Sequence, residues 1–507
     1  MSIIENSVIC RFLLSLWGSL ARLWRESLLS RLFTSAGEGV SSLFRESRTA
    51  QMVCREGAVT RAWPQSLTCW GLDGLLNLPC LLVKAIYRKG KPLWEGSLFC
   101  RLLSGLGSGA ALLTGLFMLV MLSAPHALWN NAYAFLGMAG ITALFCFSTG
   151  GRGTRLEVPS LDPHLVLFFG FVSMAVVGSL KISLSLRFFL FHLTGFLLVL
   201  VLTSAVRSVR ELQVTAAAAC GGLLIASLYG CYQGVIGVAV VASQQDMILN
   251  AGMPGRVYSF FDNPNNFAEI LVMLLPLTLA LFLNAETLRG KVAALGVFAA
   301  GLIAIGYTYS RSGWLGLALA VFLFLALQNW RIVPFALAAA VLALPFLPES
   351  IYNRFLTIGN MNDTSTRYRF AIYEATSHLM EDYWFTGVGL GSDVMTRAFA
   401  TYPTMYDGNH PIHTHNNYLQ MWGELGLAGG LAYLAMVLGQ VKRGVGAFYA
   451  AQNRKVKNLL SAAIGSFCGI LLIGVAEYTW FYPRNMFLFF FLFALIAACV
   501  KLAKAES

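Results

Sequence analysis

The stretch HPIHTHNNYLQMWGELG, residues 410–426, is a polar, histidine-rich turn running straight into an apolar segment. Three of the chain's seven histidines, His410, His413 and His415, fall within its first six residues. Imidazole, with an ordinary pKa of about 6.5, is the side chain that trades protons near neutrality. What the cluster can do depends on where the next segment lies, and composition puts that segment in a membrane. Apolar residues make up 57% of the 507 and charged residues 12%, against roughly 25% charged in a soluble domain.

Apolar runs follow one another from about residue 101. Twelve fit a span: 102–122, 127–147, 164–181, 187–205, 212–232, 266–284, 291–309, 313–329, 332–347, 416–439, 458–475 and 485–502, most near the roughly 20 residues that cross a bilayer. With the N-terminus inside, 27 of the 36 Lys and Arg residues face the cytoplasm and nine face outward, the usual asymmetry of membrane proteins. These patterns predict an all-α polytopic membrane protein with about 12 transmembrane helices. Both termini are cytoplasmic, and one long extracytoplasmic loop, 348–415, ends in the histidine cluster. The net charge of +12 then reflects basic cytoplasmic loops, not a nucleic-acid partner.

Residues 1–100 differ from the transmembrane domain, 101–507. Leu13, Leu16, Leu20 and Leu23 share a helical face flanked by Trp17 and Trp24, with arginines between, and LWRES (23–27) returns as LFRES (43–47). A basic amphipathic helix of this kind lies in the headgroup plane or docks on the protein's own cytoplasmic face; it carries no chemistry. Arg11, Arg22 and Arg25 interrupt the early apolar run, which argues against a cleavable signal peptide. The ten cysteines include no CxxC pair and are expected as free thiols.

Arginines predicted to face outward are few. Arg256 lies in GMPGRVYSFFDNPNNFAEIL, a Gly- and Pro-broken stretch ahead of the sixth span; irregular backbone at membrane depth is tolerated where it is buried in protein or lines a cavity. Arg311 lies in YTYSRSGWLG between two spans, and Arg367 and Arg369 lie in STRYRFAIYEA, a short helix of the long loop. Guanidinium near a bilayer is costly unless paired, and its planar fork suits phosphate oxygens. For the histidines three roles stand side by side. A metal site from the H-x-x-H-x-H spacing, with Asp407, lacks further ligands at regular spacing. Loop packing with THNNY as a helix N-cap suits His410 and His413. A general base suits His415, nearest the helix start. Glu424 and Glu269, near helix starts, read as polar packing ahead of catalytic acids. GVGLGSD (387–393) follows no strand and is not a dinucleotide fingerprint, and there is neither a P-loop nor an Asp-x-Asp pair.

GRVYSFFDNPNNFAEIL, YSRSGWLGLALA, TRYRFAIYEA…YWFTGVGLG and HTHNNYLQMWGELGLAGGLAYL, in that order, resemble the O-antigen ligase and O-antigen polymerase-like family across roughly residues 210–500. The resemblance implies a metal-independent glycosyltransferase of the cytoplasmic (inner) membrane with its active site facing outside and no cofactor. Its partners would be a polyprenyl diphosphate-linked glycan donor, a glycan, glycolipid or protein acceptor, and the bilayer, with no nucleic acid. It further implies that Arg256, Arg311 and Arg369 hold the diphosphate and His415 acts as base; His413, Arg367 and Glu424 are secondary candidates on their own chemistry. Tyr373 stands where many members carry tryptophan. A polymerase of the same family is the alternative product class; a lipid-linked glycan flippase is a more distant one, since transporters carry their charges at the bilayer midplane.

Overall fold

The computed structural model describes residues 48–241, 252–360, 363–404, 408 and 410–506, with isolated positions between 15 and 47. Most of the amphipathic face at Leu13–Trp24 and the candidate ligand Asp407 lie outside the described residues. The described chain is helical: α1 (Leu67–Leu76), α2 (Leu78–Lys89), α3 (Leu98–Ser108), α4 (Ala110–Ser123), α5 (Asn131–Phe147), α6 (Pro163–Val177), α7 (Ile182–Ala205), α8 (Val209–Ile236) and α9 (Pro264–Asn284). There follow α10 (Leu288–Tyr307), α11 (Arg311–Asn329), α12 (Val333–Ala343), α13 (Glu349–Leu356), α14 (Thr364–Tyr383), α15 (Ser392–Phe399), α16 (Asn417–Ala450), α17 (Arg454–Ile473) and α18 (Pro483–Glu506).

Among the described residues nine helical stretches are long and apolar enough to cross a membrane, or up to eleven if the bent pairs α1–α2 (50°) and α3–α4 (72°) each form one span. The protein is thus an all-α, multi-pass membrane protein. α6, at 15 residues, is short for a span. Residues 311–346 form one 36-residue apolar stretch, which as a straight helix would be about 54 Å long. Yet the flanking hydroxyls of Tyr309 and Ser350 are 2.9 Å apart, so the chain doubles back within it, at the extended Asn329 that opens the 3₁₀ turn Trp330–Ile332.

Most spans begin at a side chain able to take up a free backbone N–H: Asn130 for α5, Asp162 for α6, Ser208 for α8, Asn263 for α9, Ser310 for α11 and Asn453 for α17. α18 is almost wholly buried, the central post of the bundle. α11 and α17 meet across small residues: a Cβ on Gly465 would sit 2.3 Å from the Ala320 carbonyl oxygen, and one on Gly469 2.6 Å from that of Gly316. Such backbone-to-backbone approach substitutes for a hydrophobic driving force in lipid.

Residues 57–100 dock on the 154–161 loop. Trp63 is buried and donates its Nε1–H to the Val158 carbonyl at 3.3 Å; Asn77 exchanges two hydrogen bonds with the backbone of Leu156, at 3.0 and 3.1 Å. At the other end of the bundle, α14 and α15 share a small apolar core of their own around Leu379, Val394 and Phe399. This unit grips α16 at a break in that helix. Gly426 has φ 72° and ψ 179°, and the Gly423 and Glu424 carbonyls accept from Val388 N–H (2.8 Å) and Gly389 N–H (3.1 Å). The first two turns of α16 thereby become a separate half-helix, its last carbonyls satisfied by protein.

Candidate functional site

The broken start of α16 sets up the site. Asn416 caps the half-helix, accepting from Tyr418 N–H at 2.9 Å and Leu419 N–H at 3.0 Å, so THNNY supplies the N-cap its sequence suggests. This leaves His415 at φ +48°, a left-handed conformation that a residue with a Cβ adopts only at a cost. Among the described residues the other non-glycine positions with positive φ are Ser259, Asp262 and Tyr309, in the Arg256 loop and beside Arg311. All four therefore lie on segments that carry the predicted site residues.

Those segments enclose a cavity of about 770 Å³ lined by Arg256, Arg311, Arg354, Arg369, His415 and Glu477, among others. Glu477, in the loop between α17 and α18, is the hub. Its carboxylate pairs with Arg369 and accepts from His415 Nδ1 at 3.1 Å and Asn265 Nδ2 at 3.1 Å. The oxygen of the Asn265 amide in turn accepts from Arg256 Nη2 at 2.6 Å. Burial pushes the Glu477 pKa up, but Arg369 and His415 outweigh it and hold the carboxyl down at about 2. An ionised Glu477 requires the proton on His415 Nδ1, leaving the Nε2 lone pair, which has no protein partner among the described residues, as the basic site.

Arg311 and Arg354 share a second carboxylate. Asp363, the N-cap of α14, accepts from Arg311 Nη2 at 3.0 Å and pairs with Arg354 Nη1 at 3.6 Å. Burial opposes ionisation of Asp363, but Ser365 and Arg311 hold its pKa below the usual value. Arg311 also donates to the Thr357 carbonyl at 2.9 Å. Arg256 is 8% exposed and donates Nε–H to the Thr308 carbonyl at 2.8 Å; burial first, then the charges of Arg354, Arg311 and Arg369, lower its pKa. Four guanidiniums crowded against two carboxylates leave the cavity positively charged, and Arg369 Nε is buried without a hydrogen-bond partner. The arrangement suits an anion with several oxygens.

Arg256, Arg311, Arg369 and His415, from four separated motifs, thus line one cavity. The secondary candidates lie elsewhere. His413 is buried, its ring 4.5 Å from Phe481, and its Nδ1 accepts from His415 N–H at 3.2 Å. Burial, then the adjacent His415, push its pKa down to about 3, so it is neutral and fixes the strained turn. Arg367 is exposed and does not line the cavity, although its neighbours Thr366 and Tyr368 do. Glu424 is fully buried and accepts from Gly391 N–H and Gln420 Nε2, each at 2.7 Å, tying the 387–391 loop to α16. Glu269 is also buried and accepts from Asn485 Nδ2. His410 meets the Phe399 carbonyl at 3.1 Å. Among the described residues no three His, Cys, Asp or Glu side chains are grouped to hold a metal. Tyr373 lines the cavity, its hydroxyl 3.3 Å from the carbonyls of His415 and Val475.

Sequence reasoning missed three groups: Glu477, Asp363 and Arg354. The outer segments held a signal for Glu477. EYTWFYPRN is a short loop between two apolar spans, and a lone carboxylate there, facing an excess of arginine, is a natural partner.

Residues 295–434 match the family model described as O-antigen ligase. The matched stretch carries Arg311, Arg354, Arg369 and His415, while Arg256 and Glu477 lie outside it. No curated protein matches the chain. The matched stretch is little more than a quarter of the chain, and it covers three of the four motifs that carry the resemblance to the O-antigen ligase and polymerase-like family.

Proposed function

From that family-level footing, we propose that the protein transfers a glycan from a polyprenyl diphosphate carrier to an acceptor hydroxyl at the outer face of the cytoplasmic membrane. The topology proposed with it has twelve spans, cytoplasmic termini and the 348–415 loop outside; the loop charge asymmetry supports it, as does the doubling back of residues 311–346. The observation that carries the function is a histidine with an ionised carboxylate on Nδ1 and a free Nε2, in the same cavity as four arginines.

A diphosphate diester carries about two negative charges and is already an activated leaving group, so the transfer needs no nucleotide. Four arginines against two carboxylates leave two positive charges uncompensated, which matches the donor. In the proposed step Nε2 of His415 takes the acceptor proton as the acceptor oxygen bonds to the anomeric carbon. The bond from that carbon to the phosphate oxygen breaks, its electron pair leaves on the diphosphate, and the arginines stabilise the growing charge. Glu477 holds the imidazole in the right tautomer and stabilises the imidazolium. Attack opposite the leaving group inverts the anomeric centre. The site asks for no metal in any of these roles.

His415→Ala tests the assignment in lipid-reconstituted protein supplied with a polyprenyl diphosphate oligosaccharide and an acceptor. Transfer should be abolished while donor affinity stays within a few-fold. Unchanged turnover would remove His415 as base.

A further inference from the structure

A second cavity, of about 450 Å³, lies at the opposite end of α16, lined by Arg55, His164, Lys442, Arg443, Lys504 and the small residues of α16. Lys442 lies sixteen residues beyond the break at Gly426, about 24 Å along the second half of α16, on the other side of the bundle from His415. One wall is the 54–60 segment, clamped to α18 by Lys504 Nζ and Glu56 Oε1 at 2.6 Å. That segment approaches because α16 offers glycine: a Cβ on Gly446 would sit 3.0 Å from the Cys54 carbonyl oxygen.

The lining has two characters. Ala435, Leu438, Ala447, Ala450 and Val500 make an apolar wall. Four cationic side chains face a single carboxylate, Glu56, already taken by Lys504. Arg443, its side chain 10% exposed, pairs with buried Asp162 at 3.1 Å and donates to the Ser160 carbonyl at 3.2 Å, yet its Nε is buried without a partner. Arg55 and Lys442 form no ion pair among the described residues. A basic pocket between membrane helices, open to a long apolar wall, is the recognition chemistry of an acidic lipid headgroup. A free phosphate would gain nothing from the wall.

We propose that this pocket seats the phosphate headgroup of an anionic phospholipid from the leaflet opposite the arginine cavity, with an acyl chain along the Ala435–Ala450 face of α16. The lipid bridges the 54–60 segment to the transmembrane core, and its binding is independent of the transfer reaction above.

The test is native mass spectrometry of the full chain released from nanodiscs holding equal phosphatidylglycerol and phosphatidylcholine. Arg443 is unsuitable for mutation, because its loss strands Asp162. Arg55→Glu with Lys442→Glu changes only groups without an ion-pair partner among the described residues, and Arg289→Glu with Lys291→Glu, at the start of α10 on the same face, is the charge-matched control. The native chain should retain phosphatidylglycerol in preference to phosphatidylcholine. The first pair should weaken that retention about 30-fold, and the control should leave it unchanged. Equal retention of both lipids, or equal loss in the control, would overturn the proposal. So would lipid-stripped protein stabilised against heat by inorganic phosphate as strongly as by phosphatidylglycerol, the mark of a free-anion site.

Discussion

Replacing Glu477 by Gln keeps the shape of the hub and removes its charge. In the proposed step His415 becomes an imidazolium whose Nδ1 lies 3.1 Å from Glu477 Oε2, so the centres of charge are about 4 Å apart. At an effective dielectric of about 20 that attraction amounts to ~4 kcal/mol, felt only once the proton has moved. Its loss should lower kcat about 10³-fold. Donor binding should move the other way. Removing one of two carboxylates from among four arginines leaves more positive charge for the diphosphate, so the donor Kd should hold or tighten several-fold. The assay is single-turnover transfer with saturating acceptor, beside donor binding to the same preparation, with Tm as a control for folding. Turnover within tenfold of the native rate would refute the orienting role. A donor Kd weakened more than tenfold with normal turnover would make Glu477 a structural partner of Arg369 alone.

Other outcomes follow from the same geometry. Arg256→Lys and Arg311→Lys keep a charge but lose the fork that reaches two partners at once, and each should raise the donor KM about tenfold or more. Asp363→Asn removes the charge of the carboxylate shared by Arg311 and Arg354, so, as with Glu477→Gln, donor KM should hold or fall, while kcat should stay within a few-fold of native. Gly387→Ala forces a Cβ onto a residue at φ +69°, 2.5 Å from the Glu424 carbonyl oxygen, and should cost about 2 kcal/mol or more, seen as a lower Tm. Because the folded pKa of Glu477 is depressed to about 2 from 4.5, its contribution to stability is complete above about pH 4.5 and is lost as pH falls toward 2. Glu477→Gln should flatten that acid limb in thermal melts. Transfer should persist at full rate after chelation, as checked by product yield with and without a chelator.

The parts of the site legible in sequence were those whose chemistry conflicts with their setting. An arginine in a broken loop between apolar runs, as at Arg256 and Arg311, is conspicuous because hydrocarbon penalises it. A histidine directly before a capping Asn-Asn is conspicuous because the helix start is. The partner that holds the His415 ring was not legible, since Glu477 lies 62 residues along the chain and only the packing of α16, α17 and α18 brings it close. Arg354 was visible merely as one outward-facing basic residue, because its link to Arg311 runs through Asp363. Hydropathy marks where helices are apolar but not how they bend. The breaks at Gly109 between α3 and α4 and at Gly426 inside α16 are tertiary events. GVGLGSD lacked the context of a dinucleotide loop, and its glycines serve contact instead: Gly387, Gly389 and Gly391 press on Glu424, Ser179 and Phe188.

The most direct test of glycosyl transfer itself counts both products at once. Purified protein in lipid is given a polyprenyl diphosphate oligosaccharide and candidate acceptors, without nucleotide, and mass spectrometry follows glycosylated acceptor and freed polyprenyl diphosphate. The account predicts one carrier released for each glycan transferred, and no transfer with His415→Ala. Donor that stays intact with every acceptor, and merely crosses the bilayer, would contradict it and make the protein a carrier of lipid-linked glycans.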